Sequence, residues 1–322
     1  MSQERTPSGI REWISAQGRP RSVDSATLRF ERMASQSARS LPEIYRMLDP
    51  RDPVHWAHRG RIWDYVLSLE GAQRVLDVGP GDGWPALLLA PHFREVVGIE
   101  PGPHRVAVCR ENAKRMRVRK VRFEQMSAVE MRFPDQSFDA VVAATSIEQT
   151  PDPGRALGEI FRVLRPGGCL RLTYEVLDED PEPVREAARV QAGDEGRFWI
   201  DYIVTYPRKY EQRDYLIEVV PAREKTRGQL VLWARRCAGD AFPLRDPRIE
   251  RGLGTTIKAI AREEVAGMRQ SRLRHLRPAQ IGRTLERIGF RGVRAIVGGG
   301  RPARALAEEL RRARRMGAAA PL

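Results

Sequence analysis

The nine residues Val75-Leu76-Asp77-Val78-Gly79-Pro80-Gly81-Asp82-Gly83 limit the folds open to this chain more than any other segment. Branched apolar residues run into an acid and then into glycines at alternate positions. That pattern predicts a buried strand ending in a tight turn, and Ala86-Leu87-Leu88-Leu89-Ala90 reads as the helix that follows. Glycine tolerates positive φ and lets a ligand approach the backbone closely. A helix start just beyond such a turn offers free N–H groups and a partial positive charge. The segment is therefore expected to floor a nucleotide-like pocket.

Glycine-rich turns after a first strand serve dinucleotides and S-adenosylmethionine alike. The dinucleotide pattern G-x-G-x-x-G needs a glycine where Trp84 stands and does not find one. Four further segments follow in order. Glu95-Val96-Val97-Gly98-Ile99-Glu100 reads as a second strand ending in an acid. Glu100 falls roughly 20 residues past the glycines, where a carboxylate accepts hydrogen bonds from ribose hydroxyls. Val121 to Gln125 reads as a third strand leading into Met126-Ser127-Ala128, and Ser137 to Ala144 as a fourth, after the turn signal Phe133-Pro134-Asp135. Leu157 to Leu164 has helical spacing, stops at Arg165-Pro166-Gly167-Gly168, and leads to a fifth strand from Cys169 to Tyr174. Strands alternating with helices predict a parallel sheet.

From Arg74 to Tyr174 the chain resembles the class I S-adenosylmethionine-dependent methyltransferases, in the group that includes ubiquinone and menaquinone methyltransferases. VLDVGPGDG is similar to that family's cofactor loop, FPDQSFDAVVAATSIEQTPDP to its fourth-strand motif, and RVLRPGG to its turn before the fifth strand. The resemblance implies a Rossmann-like α/β fold with a terminal antiparallel strand and S-adenosylmethionine as cofactor. It further implies that Asp77 and the backbone at Gly79 hold the methionine amino end, and that Gly81 and Gly83 let the cofactor lie against the chain. Glu100 would bind the ribose and Pro101 the adenine face. Ser127 and Ala128 would meet the adenine edge, and Ala144 and Thr145 would face the methionine portion and the methyl group. Relatives often carry Glu-His after the fourth strand, and here it is Glu148-Gln149. A histidine base is thus missing there. Tyr174 and Glu175, at the end of the fifth strand, are candidates for orienting an acceptor hydroxyl or amine, with Glu175 also a candidate base, or else a strand-end pair making local hydrogen bonds; Glu148 is a further candidate base, or else a partner for Gln149 or the Thr150-Pro151 turn.

The formal net charge of +14 and pI near 10.4 invite a nucleic-acid reading. Against it, only five residues are lysine and the arginines are dispersed, apart from the runs Arg115 to Lys120 and Arg311 to Arg315. No apolar run is long enough to span a membrane. The polar start from Met1 to Gly18 lacks an apolar signal core, so a cytoplasmic location is expected. Cys109, Cys169 and Cys237 match no zinc or redox spacing, and His55, His58, His92, His104 and His275 show no ligand spacing, so no metal is expected.

The remaining chain predicts a flexible arm over 1–40 and a methyltransferase core over 41–177, with helical spacing from Ile44 to Leu69. In that helix Tyr45, Trp56 and Arg59 are candidates for covering the cofactor, although simple packing against the sheet explains Trp56 equally well. An inserted lid or substrate element follows over 178–276, the core resumes over 277–300, and a basic helix ends the chain over 301–322. Within the insert, Phe198 to Tyr206, Asp214 to Val220 and Gln229 to Arg235 read as strands, and Thr255 to Leu276 as a helix. Its aromatics, among them Trp199, Tyr202, Tyr215 and Trp233, serve either as substrate walls or as the insert's own core or a dimer face. A helix over Pro278 to Ile288 and a strand over Phe290 to Val297 resemble the family's last elements. A rival reading has Asp214 to Arg236 closing the core sheet instead. The leading expectation for function is methyl transfer from S-adenosylmethionine to a small-molecule acceptor by in-line attack. Alternatives are a methyltransferase acting on RNA or another macromolecule, and a non-catalytic regulatory protein that binds the cofactor.

Overall fold

Two separate hydrophobic cores organise the chain in the computed structural model, which describes residues 6–23, 25, 28, 53–174, 182–237, 241–296 and 298–315. In chain order the elements are α1 (Ile10–Gln17), β1 (Arg21–Ser22), α2 (Pro53–Ser68), β2 (Arg74–Val78), α3 (Ala86–Leu89), β3 (Glu95–Glu100), α4 (Pro103–Arg115), β4 (Val121–Gln125), β5 (Phe138–Ala144), α5 (Pro153–Val163) and β6 (Leu164–Thr173). They continue with β7 (Arg185–Ala192), β8 (Phe198–Tyr206), β9 (Glu211–Val219), α6 (Glu224–Cys237), β10 (Phe242–Pro243), α7 (Pro247–Ile249), α8 (Thr255–Lys258), β11 (Val265–Arg274), α9 (Pro278–Ile288) and α10 (Gly300–Arg315). Two compact units result: Met1–Ser40 with Val176–Arg277, and Leu41–Glu175 with Pro278–Leu322.

The second unit is built on a five-stranded sheet of order β4-β3-β2-β5-β6, parallel throughout. RVLDV, EVVGIE and FDAVVAA are almost continuously apolar because helices cover both faces of such a sheet. The edge strand β4 alternates instead, with Phe123 buried and Arg122 exposed. Parallel register brings the carboxyl ends of all five strands to one edge: Val78 lies beside Ile99, Glu100 beside Gln125, and Ala144 beside Thr173. Strand order reverses between β2 and β5, which opens a crevice at that edge. The antiparallel strand expected over 290–297 is absent from this sheet among the described residues. Phe290 packs edge-on against Phe161 of α5, with ring centres 5.1 Å apart, and so anchors the chain beside a helix rather than in a ladder.

The first unit holds a six-stranded sheet of order β1-β11-β9-β8-β7-β10. β7, β8, β9 and β11 form an antiparallel meander, and β1 joins β11 in parallel. β9 belongs to this sheet, so the reading in which Asp214 to Arg236 closes the core sheet is set aside. Two local expectations fail here. Gln229 to Arg235 is helical, because Thr226, Leu230, Trp233 and Cys237 recur at helical spacing and bury one stripe of α6. The helix expected over Thr255 to Leu276 stops at Lys258, and Val265–Arg274 is a strand, paired along the length of β9. Tertiary pairing overrides local preference at such a site. Glu264, fully buried, accepts from the N–H groups of Ala222, Arg223 and Ala261 at 3.0–3.1 Å and so ties the approach to α6 to the start of β11.

The expected flexible arm contains α1, whose Ile10 and Ile14 are buried in the first unit's core. Its apolar stripe is only one turn long, too short to show as periodicity amid Ser, Arg and Gln. Ile14→Val is expected to lower the stability of this unit by about 0.5–1.5 kcal/mol in urea unfolding, whereas a loosely attached arm would show no change.

Candidate functional site

The loop after β2 and the ends of β3 and β5 assemble the candidate site. Asp77, fully buried on β2, accepts from the Ala86 N–H through Oδ2 at 2.9 Å and thereby caps the entry to α3. Its Oδ1 has no hydrogen-bond partner. Burial pushes the Asp77 carboxyl well above the usual carboxylate range. The Ala86 N–H opposes that push, and the neighbouring Glu100 adds to it.

Gly79, at φ +76°, turns the chain out of the strand. A β-carbon there would sit 2.6 Å from Ser146 Cβ, and the Ser146 hydroxyl donates to the Val78 carbonyl. Ser146, which sequence reasoning passed over, thus clamps the end of β2 to the end of β5. Its only sequence signal is its place just after the fourth strand. Gly81, at φ +64°, has no heavy atom within 4 Å of its β-carbon position, so this stretch of loop borders open space. From below, Cys109 Sγ donates to the Gly81 carbonyl at 3.4 Å and Asn112 Nδ2 to the Asp82 carbonyl at 2.7 Å. α4 therefore supports the loop from beneath. Gly83 is buried, with its carbonyl taken by Leu87 N–H at 2.8 Å.

Glu100 ends β3 and accepts from the Gly81 N–H at 2.6 Å, so the two elements lock together. Burial raises its carboxyl to about 7. The Gly81 N–H and Arg105 pull downward, and Asp82 pushes further up. Asp77, Asp82 and Glu100 thus give the surroundings of the glycine turn an acidic character. Pro101 is half-buried, and its carbonyl accepts from Gln125 Nε2 at 3.2 Å. Ser127 bridges to Glu130 beyond β4 and Ala128 is buried beside it.

Ala144 is the last residue of β5. Thr145 follows with φ +54°, an unfavourable conformation for a β-branched residue. Its N–H donates to Thr173 at 2.9 Å, and its carbonyl accepts from Gln149 Nε2 at 2.9 Å. Strain held by surrounding bonds in this way is common where a ligand must be met. Glu148 is buried in the one-turn helix Ile147–Gln149, while Gln149 is exposed. Tyr174 directly follows β6, and Glu175 lies outside the described residues. Tyr65 of α2 contributes a hydroxyl hydrogen-bonded to Thr173, and its ring tilts against Trp84. Tyr45 also lies outside the described residues. The structure therefore brings Asp77, Gly79, Gly81, Glu100, Ala144 and Thr145 to one edge of one sheet.

Residues 76–172 match the protein-family profile described as "Methyltransferase domain". This segment is a class I S-adenosylmethionine-dependent methyltransferase domain. The chain is 37% identical over 154 residues to a demethylmenaquinone methyltransferase of Thermus thermophilus, covering 47% of this chain and 66% of that protein. It is 35% identical over 133 residues to the 27-O-demethylrifamycin SV methyltransferase of Amycolatopsis mediterranei, covering 38% and 49%. The solved YcgJ protein of Bacillus subtilis is 32% identical, with 38% of this chain and 53% of that one aligned at a TM-score of 0.36. The chain thus spans less than two thirds of each of these relatives. Among the described residues, no helix is long and apolar enough to cross a membrane, and no cluster of potential ligands for a metal ion occurs.

Proposed function

We propose that the protein moves a methyl group from S-adenosylmethionine to a small-molecule acceptor by in-line attack. One observation carries the choice of donor: Asp77 on β2, Asp82 in the glycine turn and Glu100 at the end of β3 bring three carboxyl groups together around that turn, and Asp77 keeps an unpartnered buried oxygen. A cationic ligand bearing an ammonium and a sulfonium relieves that charge. The pyrophosphate of a dinucleotide would add to it.

In this reading Asp77 Oδ1 accepts from the donor's ammonium, and the Gly79–Gly83 backbone carries its body. Glu100 takes the ribose hydroxyls, with Pro101, Ser127 and Ala128 around the adenine and Ala144 and Thr145 beside the methyl-bearing end. When bound, S-adenosylmethionine supplies an activated methyl group on a good leaving group. The chain's own task is then to align the acceptor and exclude water, which accounts for large rate gains without a strong base. Tyr174 and Glu175, following β6, are the candidates for orienting an acceptor hydroxyl or amine. The names of the two relatives, a demethylmenaquinone and a demethylrifamycin methyltransferase, support a small and ring-bearing acceptor.

Calorimetry with S-adenosylmethionine and with NAD tests the donor, and methyl-labelled cofactor incubated with a fractionated cell extract tests the acceptor. Binding of the sulfonium alone, with label appearing in the low-mass fraction, is expected. Label confined to RNA or protein would overturn the small-molecule acceptor, and failure to bind S-adenosylmethionine would overturn the whole reading.

A further inference from the structure

Trp84, the residue that parts the glycine turn from the dinucleotide pattern, carries a polar atom that the fold leaves unused. Its ring is half-buried, while its indole Nε1–H is shielded from solvent and has no hydrogen-bond partner among the described residues. Buried donors are nearly always satisfied, because an unmade bond forfeits the hydration the group has lost. Asp77 Oδ1 is the matching case of opposite type, a buried acceptor without a partner. One stands just before the glycine turn and the other just after it. The two do not bond to each other.

The fold brings both to one place. Asp77 Oδ2 takes the Ala86 N–H at 2.9 Å, which draws the chain just past Trp84 back to β2. Tyr65 of α2 adjoins both groups. Its ring centre lies 6.2 Å from that of Trp84. Burial raises the Tyr65 hydroxyl above the ordinary range, its bond to Thr173 opposes the rise, and Asp77 adds to it, so the Asp77 carboxyl is within electrostatic reach. His58 meets the indole edge-on, with ring centres 5.5 Å apart, so two rings hold its plane. The Tyr65 hydroxyl bonds Thr173, whose carbonyl accepts from the Thr145 N–H. Donor and acceptor thus stand at the same sheet edge as Thr145, to which the methyl-bearing end is assigned.

We propose that Trp84 Nε1–H donates to the carboxylate of S-adenosylmethionine, so that Trp84 and Asp77 together read its α-amino acid end as a zwitterion. This rests on the donor reading above and adds to it a residue that selects a donor with its carboxylate intact. An uncharged donor suits the position. A lysine or arginine there would form an ion pair with Asp77 and take the oxygen that the ammonium needs. Indole donates and cannot accept, so it binds the carboxylate without competing for the ammonium. A bond to a charged acceptor is also stronger than one between neutral groups.

The test is calorimetry on the full chain with S-adenosylmethionine and with its decarboxylated analogue, at about pH 8, where Glu100 is ionised. The analogue keeps the sulfonium, the amine and the adenosine and lacks only the carboxylate. The parent is expected to bind the analogue about ten- to a hundredfold more weakly, the effect of losing one hydrogen bond to a charged group. Trp84→Phe keeps a ring against Tyr65 and His58 but has no N–H. It should bind S-adenosylmethionine more weakly by about that factor, bind the analogue nearly as the parent does, and so scarcely distinguish the two. Trp63→Phe, at an exposed position of α2, should discriminate like the parent. Magnetic resonance of the parent's six indole N–H groups gives a reading that needs no stable variant. One resonance should move downfield with S-adenosylmethionine and keep its place with the analogue. Discrimination retained by Trp84→Phe, whether or not affinity falls, would show that the ring acts through packing and overturn the proposal. So would equal binding of the two ligands by the parent, or indole resonances that respond alike to both. A parent that binds neither ligand would overturn the donor reading itself, and this inference with it.

Discussion

Gly79→Ala is expected to weaken S-adenosylmethionine binding by about a hundredfold or more and to destabilise the second unit by roughly 2–5 kcal/mol. Both effects have the same origin. At φ +76° an L-residue pays about 1–2 kcal/mol for the left-handed conformation alone. The added methyl would also lie 2.6 Å from Ser146 Cβ, in the crevice where β2 and β5 part. Ser146 holds the Val78 carbonyl, so it cannot retreat without releasing the end of β2. Moving it displaces Asp77 and the loop together. Gly81→Ala is the informative comparison. Its β-carbon meets no atom, so the fold bears only the conformational cost, while the methyl enters the space assigned to the cofactor. Thermal melts and calorimetry on the two variants should separate: Gly79→Ala loses both fold stability and affinity, and Gly81→Ala mainly affinity. Unimpaired binding by both variants would remove the loop from the cofactor site.

Affinity for S-adenosylmethionine should rise about tenfold from pH 6 to pH 8 and level off above, because Glu100 must give up a proton to serve. Burial holds its carboxyl at about 7 in the free protein, against 4.5 for an ordinary glutamate. Between those values the native chain binds a proton that the unfolded chain releases. Native stability from this group is therefore greatest in acid and falls as pH rises through about 7. Ribose hydroxyls are donors and need the ionised form, so binding expels the proton and grows stronger over that same range. Glu100→Gln removes the titration. Its affinity should lack the rise centred near pH 7, any remaining pH dependence belonging to the raised Asp77 carboxyl, and should lie below the parent's plateau by one or two charge-assisted bonds, about 1.5–3 kcal/mol each. Calorimetry in buffers of differing ionisation enthalpy reads the released proton directly. A parent protein whose affinity does not change across this range would assign the ribose to another group.

The methyltransferase domain was legible because its signals are local. The apolar runs of β2, β3 and β5 are long and unbroken, and the glycines that end β2 sit at positions where the backbone takes φ values other residues avoid. Asp77 and Glu100 stand at strand ends, and parallel pairing alone is enough to bring strand ends together. Ser146 was not legible: its importance comes from a contact with the carbonyl of Val78, 68 residues earlier in the chain. The unpartnered oxygen of Asp77 and the raised carboxyl of Glu100 were equally hidden, since both are consequences of burial.

The six-stranded sheet shows where local reading ends. β8 and β9 announced themselves through alternating Tyr, Ile and Val. β11 did not, because Arg269, Arg272 and Arg274 suit an exposed helix as well as a strand, and only pairing with β9 selects the strand. α6 was misread over a window too short to show its buried stripe of Thr226, Leu230, Trp233 and Cys237. The sequence by itself determined the order of strand, glycine turn and acid that defines the methyltransferase domain, since each depends on neighbours a few residues apart. Tertiary structure alone decided that α1 belongs to a core and that β11 is a strand. Those outcomes rest on contacts between residues far apart in the chain, where hydrogen-bond registry and burial outweigh local preference.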